Sequence, residues 1–189
     1  LIRNAIRSSQ LLVNDDFNAG TSEASNWDGD IPESWSDYIS EPKNPSNTLT
    51  TSVADGVMTW TMSQAVTAHG FPGIRQNILT SGKRYVLEFK YRCTQLSGIL
   101  GGWTYYNGAF FYSVYPYLSV SEEWTVVERV FTASGTEFIL RLVNIDFAGE
   151  SCTVELDYIR LYQENAGNSI GVVHGVEGPG GLFPYACLL

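Results

Sequence analysis

The chain reads as an all-β, two-sheet antiparallel sandwich, and three observations predict it. Apolar and polar residues alternate through much of residues 13–162, which is the period of a half-buried strand and not of a helix. The alternating runs are short, with turn signals such as Ala54-Asp55-Gly56, Asn107-Gly108 and Ser134-Gly135 between them. Eight or more such runs exceed what one small sheet needs, so they are expected to pack as two.

Taken in order, residues 1–12 carry a thin apolar stripe of Ile2, Ile6 and Leu12. Its spacing predicts a short helix, marginal in water unless it packs on a neighbour. Leu49 to Val53 and Val57 to Ser63 form a hairpin around Ala54-Asp55-Gly56, with Met58, Trp60 and Met62 alternating with Thr59 and Thr61. Tyr85, Leu87, Phe89 and Tyr91 alternate with Val86, Glu88, Lys90 and Arg92, the pattern of a strand with one buried face. Trp124 to Thr132 and Phe138 to Val143 make two more strands, and Thr153 to Tyr162 closes the set. In that last run the apolar parity changes at Asp157, from Val154 and Leu156 to Ile159 and Leu161. A bulge explains the change and is expected to turn Asp157 inward, where a lone carboxylate needs a partner or a metal. Residues 163–189 hold six glycines and then an apolar end, Leu182 to Leu189. Such a tail needs something to hold it, and a neighbouring subunit is the simplest candidate. Three segments follow: 1–12 as a helical stub, 13–162 as the domain, and 163–189 as a tail that stabilises an oligomer.

Eight aromatic residues fall between Trp103 and Tyr117, around Asn107-Gly108. That dipeptide predicts a two-residue hairpin turn. Tyr106 then pairs with Ala109, Tyr105 with Phe110, Thr104 with Phe111 and Trp103 with Tyr112. One face carries Trp103, Tyr105, Phe110, Tyr112 and Val114, uniformly bulky and suited to a core. The other carries Thr104, Tyr106, Ala109, Phe111, Ser113 and Tyr115. Its rings and hydroxyls suit a wet face that stacks on sugars and reads their edges. The expected ligand-binding residues are Tyr106, Phe111 and Tyr115, with Trp103 and Tyr112 as runners-up.

Twenty acidic against eleven basic residues give a net charge of -9, which argues against nucleic acid and anionic membranes as partners. No apolar run approaches a membrane span. The chain begins at Leu1 without a secretion signal, as a processed product or an excised domain would. Cys93, Cys152 and Cys187 stand in no metal or redox spacing; three buried thiols are expected, with one disulfide as the alternative. His69 and His174 are far apart beside glycines, and no pair of carboxylates is singled out for hydrolysis. A calcium ion has better support. Asn14-Asp15-Asp16 opens the first strand and Asp157 lies in the last, and these strands are commonly neighbours in a sandwich. Hard oxygen ligands from both would neutralise Asp157. Asn26-Asp28-Gly29-Asp30 is a weaker rival site.

Several stretches together resemble the jelly-roll carbohydrate-binding modules of the xylan- and cellulose-binding superfamily. Leu11-Leu12-Val13-Asn14-Asp15-Asp16-Phe17-Asn18 resembles that family's opening strand, and Ile31-Pro32-Glu33-Ser34-Trp35 its P-x-x-W segment. Ile74-Arg75-Gln76-Asn77-Ile78, then Gly82 to Phe89, is similar to its Q-x-(I/V)…G-x-x-Y-x-(L/V)-x-F unit. Glu123-Trp124-Thr125 with Phe131, and Leu156-Asp157-Tyr158-Ile159-Arg160-Leu161, look like its later strands. The resemblance implies a jelly roll, a glycan groove and a structural Ca²⁺ near the first and last strands, held here by Asp16, Asn18 and Asp157. Asn18 stands where the family has an acidic residue, which weakens that set. The two ends look like those of a C-terminal module of a bacteriophage tail fibre or tailspike. That likeness implies a homotrimer on a virion or another extracellular surface.

The sequence therefore predicts a non-catalytic module that binds polysaccharide or cell-surface glycan. Its rivals are a structural trimerisation or capping module, with the aromatics buried between chains, and a polysaccharide hydrolase.

Overall fold

A computed structural model describes residues 9–39, 48–63, 72–97, 102–114, 118–143 and 151–164. Twelve strands run in chain order: β1 (Thr21–Glu23), β2 (Asp28–Pro32), β3 (Ser36–Ile39), β4 (Thr48–Ala54), β5 (Val57–Ser63), β6 (Pro72–Asn77), β7 (Arg84–Ser97), β8 (Gly102–Tyr106), β9 (Phe111–Val114), β10 (Thr125–Thr132), β11 (Glu137–Val143) and β12 (Ser151–Gln163). Seven form one sheet in the order β1-β2-β4-β5-β12-β7-β10, and five form the other, β3-β6-β11-β8-β9. All pairings are antiparallel except a two-residue parallel contact of β2 with β4. The expected all-β, two-sheet fold is what the chain adopts.

The alternation in the sequence fills the space between the sheets. From the larger sheet come Met58, Trp60 and Met62, then Tyr85, Leu87, Phe89 and Tyr91, then Val154, Leu156, Ile159 and Leu161. From the smaller sheet come Ile74, Trp103, Phe138, Leu140 and Leu142. Burying each large side chain stabilises the fold by about 1.5–3 kcal/mol before entropy is counted. Trp60 and Trp103 meet edge to face at 5.4 Å, and neither indole N–H has a hydrogen-bond acceptor. Asp55 (φ 51°) and Gly56 (φ 73°) are both left-handed, so the β4–β5 hairpin closes with a two-residue turn that suits Asp-Gly.

The parity change in β12 is a bulge, with Leu156 opposite Tyr91 and Tyr158 opposite Lys90. Asp157 does not point inward, however. Its side chain is 31% exposed and lies 2.6 Å from Lys90 Nζ. The extra residue of a bulge is freed from the ladder, and here it turns out toward a cation on the neighbouring strand.

Of the expected N-terminal helix, residues 1–8 lie outside the described residues and 9–12 are not helical. Leu11 N–H donates to Leu161 O at 3.0 Å and Ile159 N–H to Asp15 O at 2.9 Å. The opening segment thus lies beside the last strand, as expected, but through turns instead of a strand. Phe17, at φ 58°, is buried edge-on to Trp35. Asn14 ties the segment down: its Oδ1 accepts from Ala19 N–H, its Nδ2 donates to Glu33 O, and its own carbonyl accepts from the Trp35 indole. Cys93 and Cys152 are buried. Cys187, both histidines and the Gly-rich tail beyond Glu164 lie outside the described residues.

Candidate functional site

The outward face of the five-stranded sheet is set by register. One row across the strands reads Ser36, Arg75, Ile139, Tyr106, Phe111; the next reads Tyr38, Gly73, Arg141, Thr104, Ser113. A flat sheet would hold β3 and β9, four strand spacings apart, at roughly 19 Å. The rings of Tyr38 on β3 and Phe111 on β9 nevertheless lie 5.9 Å apart, centroid to centroid. The face is therefore strongly concave, with side chains from both edges reaching over its middle. Gly73 makes room for this, since a Cβ there would sit 2.6 Å from Leu140 O and 3.1 Å from Arg141 Cβ.

Arg141 lies at the centre of the concavity. Its guanidinium carbon is 3.5 Å from the centroid of Phe111, and its Nε donates to Thr104 Oγ1 at 3.1 Å. Burial pushes its pKa down, opposed by the charge and hydrogen bonding of Tyr38. Phe111 also contacts Tyr106, at 4.8 Å between centroids. At one end of the row the face opens into a cleft of about 390 Å³, lined by Val13, Ser34, Ser36, Arg75, Gln76, Asn77, Ile78 and Glu137. Arg75 and Glu137 pair there at 3.0 Å. Gln76 fixes the cleft wall by accepting from Val13 N–H and donating to Val13 O.

The aromatic hairpin forms, but with a different turn. Tyr106 pairs with Phe111, Tyr105 with Tyr112, Thr104 with Ser113 and Trp103 with Val114. Residues 107–110 make a four-residue loop, closed by Asn107 N–H to Phe110 O at 3.2 Å. Asn107 overrides the two-residue turn. Its Oδ1 accepts from Ala109 and Phe110 N–H, while its Nδ2 donates to Thr132 O and Ser134 Oγ. The register moves by two, so the assignment of faces survives.

The five expected binding residues separate. Tyr106 and Phe111 lie together on the concave face, half-buried. Trp103 is a correction: at 1% exposure it is core, packed against Trp60, Phe89 and Tyr91. Tyr112 is 43% exposed but on the opposite side of the hairpin, stacked on Tyr105 at 5.5 Å. Phe110, 64% exposed, sits at the loop tip. Tyr115 lies outside the described residues. The expected wet face is also drier than alternation implied, since Thr104 is buried. Sequence reasoning missed Tyr38, Arg75, Glu137 and Arg141. For Arg75 and Arg141 the signal was present as charge beside core residues, in Ile74-Arg75 and Leu140-Arg141-Leu142.

The calcium residues are occupied otherwise. Asp157 pairs with Lys90, Asp16 Oδ1 accepts from Asn18 N–H at 3.4 Å, and the Asn18 amide lies against the Gly56 turn. Among the described residues no three Asp, Glu, His or Cys side chains form a group able to hold a metal ion. Lys90 supplies a positive charge beside Asp157. In the rival loop, Asp37 Oδ2 accepts from the Ser25 and Asn26 N–H groups and from Asn26 Nδ2, which braces the backbone.

The outward face of the seven-stranded sheet, called the convex face below, is a lattice of compensated charge. Arg92 pairs with Glu155 at 2.5 Å, and Arg160 lies 3.7 Å from Glu88 and 3.6 Å from Asp15. Trp124 rests under Lys90 and Arg92, at 5.0 and 4.6 Å from its ring centroid. Half-exposed pairs of this kind contribute little each.

No protein-family model matches the chain, and no curated protein matches it either. Solved structures do. A CBM4 structure superposes with a TM-score of 0.52 at 14% identity, over 80% of this chain and 99% of that one. The CBM22-1–CBM22-2 tandem domain of Paenibacillus barcinonensis Xyn10C gives 0.51 at 12% identity, over 84% of this chain and 47% of that one. TmCBM61 in complex with β-1,4-galactotriose gives 0.49 at 14% identity, over 83% and 100% of the two chains. The first two likenesses show the fold: this chain shares the jelly-roll sandwich of carbohydrate-binding modules.

Proposed function

We propose that this chain is a non-catalytic glycan-binding module whose site is the concave face of the five-stranded sheet. One observation carries the reading: Tyr38, Tyr106 and Phe111 converge over Arg141 and Thr104 on a curved, rigid surface that opens into a polar cleft. Aromatic rings offer apolar faces to a pyranose, while guanidinium, hydroxyl and amide groups read its hydroxyls. The fold shared with carbohydrate-binding modules supports the same reading. Against hydrolysis, Glu137 is the single carboxylate among the described outward positions of this sheet, whereas glycoside hydrolysis generally uses two. Display in several copies on an extracellular surface, as a trimeric fibre would provide, would raise a weak single-site affinity through effective concentration.

The test is a glycan array followed by calorimetry. Phe111→Ala is expected to weaken binding at least tenfold, while Trp124→Ala on the convex face leaves it within twofold. Binding of no glycan in a broad panel, or loss with Trp124→Ala alone, would refute the proposal.

A further inference from the structure

Resting on that glycan reading, we infer that the site takes the end of a glycan chain, with the terminal sugar in the cleft beside Arg75 and Glu137, and not an interior segment laid across the sheet. An interior segment leaves its site in two directions, so it needs a trough open along its whole length. This face is not such a trough. Tyr38 from one edge strand meets Phe111 from the other at 5.9 Å, and Phe111 in turn meets Tyr106 at 4.8 Å and the Arg141 guanidinium at 3.5 Å. The floor between the two edges is sealed. Ile139 points outward by register, between Phe138 and Leu140 of the core, yet it is 1% exposed. Thr104, on the next row, is 8% exposed. Laying a sugar chain on that floor would part packed rings and uncover an apolar side chain, both of which cost free energy.

The cleft is the part of this face that stays open, and Ser34, Ser36 and Asn77 along it are exposed. It begins beside the rings, since Ser36 lies two residues along β3 from Tyr38. On its other side stands Val13, whose backbone N–H and C=O are both held by Gln76. Its volume of about 390 Å³ is near the lower limit for small-ligand sites, about 300–1,000 Å³, and suits about one or two sugar residues. Within it Arg75 and Glu137, 3.0 Å apart, set a donor beside an acceptor. Their charges balance, so the pair suits neighbouring hydroxyls of a neutral sugar, one accepting from the guanidinium and one donating to the carboxylate. A terminal sugar presents a free hydroxyl where an interior sugar carries the next residue. A cleft bounded by Val13 on one side and by the rings on the other selects that end. The sugars that follow would lie against Tyr106 and Phe111, outside the cleft.

The experiment uses the full chain and four soluble neutral polymers as probes: xylan, β-1,4-galactan, mixed-linkage β-glucan and galactomannan. Each is compared, at equal sugar mass, before and after limited endo-cleavage into fragments still longer than the site. Cleavage multiplies chain ends and leaves most interior segments intact. For at least one polymer, a tenfold rise in ends is expected to lower the sugar mass needed for half-saturation at least fivefold. The double variant Ser36→Leu, Asn77→Leu narrows the cleft from two exposed positions and is expected to weaken binding of the fragments at least tenfold, with a thermal melt confirming that it folds. The cleavage comparison needs only the wild-type chain, so it decides the matter even if that variant does not fold. Half-saturation within twofold for cut and uncut polymer, or a folded double variant that binds like wild type, would overturn the chain-end assignment and leave the glycan reading standing. Failure of every polymer, cut or uncut, together with every glycan of the array, would remove both.

Discussion

Asn107→Ala is the perturbation that most directly probes how the hairpin is held. Asn107 is 3% exposed and its side chain makes four hydrogen bonds, two within the loop and two to Thr132 and Ser134. At about 1 kcal/mol net for each, the sum approaches 4 kcal/mol. Ala109 and Phe110 are exposed, so water can replace part of the loss at their amides. The expected destabilisation is about 2–3 kcal/mol. For a chain of this length that lowers Tm by roughly 5–10 °C. Chemical denaturation gives the free energy, and Ser134→Ala, which removes only the 3.3 Å bond, is the control at under about 1 kcal/mol. The loop also presses Gly108 onto Gly135, where a Cβ on Gly108 would fall 2.3 Å from Gly135 N. Loosening this tie is therefore expected to weaken glycan binding as well, because Tyr106 and Phe111 flank the loop. Stability within about 0.5 kcal/mol of wild type, the range of ordinary surface substitutions, would refute the reasoning and return the turn to a local Asn-Gly hairpin.

Gly73→Ala is expected to destabilise the sandwich by about 1–3 kcal/mol, the range for overpacking, because the new methyl must push β6 away from the β11 backbone. Binding should fall further than stability alone explains, and calorimetry on the folded fraction checks this. Chelation by EDTA is expected to leave Tm within 1–2 °C (about 0.5 kcal/mol), since Lys90 balances Asp157. A rise of several degrees on adding millimolar Ca²⁺, the signature of a ligand near 100 times its Kd at about 2.7 kcal/mol, would restore the set Asp16, Asn18 and Asp157. Tyr158 is pushed up to about 12 by burial, with a further rise from its hydrogen bond to Glu88. The native state then keeps a proton that the unfolded chain releases near pH 10, so this contribution is complete below pH 10 and is lost toward pH 12. Tyr158→Phe is expected to flatten that part of the stability–pH curve, and an unchanged slope would contradict it.

What was legible in the sequence was local parity. The alternation of Tyr85 to Tyr91 and of Met58 to Met62 gave the buried faces directly, and the switch at Asp157 gave the bulge. The faces of the aromatic hairpin were also readable, because a slip of two residues leaves parity unchanged. Contacts that are distant in the chain were not readable. Asn107 takes its loop shape partly from Thr132 and Ser134, about 25 residues away. Tyr38 meets Phe111 only because the sheet curls two edges together. Trp103 misled because a large aromatic reads the same whether it is destined for core or groove. Asp157 misled because a bulged residue leaves the ladder, so parity does not fix the face it takes.

The central claim, that the concave face takes the glycan, is tested most directly by mapping amide and side-chain NMR shifts while a binding glycan is titrated in. The account predicts that Ser36, Arg75, Tyr106, Phe111 and the Arg141 guanidinium shift together and saturably, while the Trp124 indole stays in place. Shifts centred on Trp124, or on the loop tip at Phe110 with Tyr112, and absent from Arg141 would contradict it.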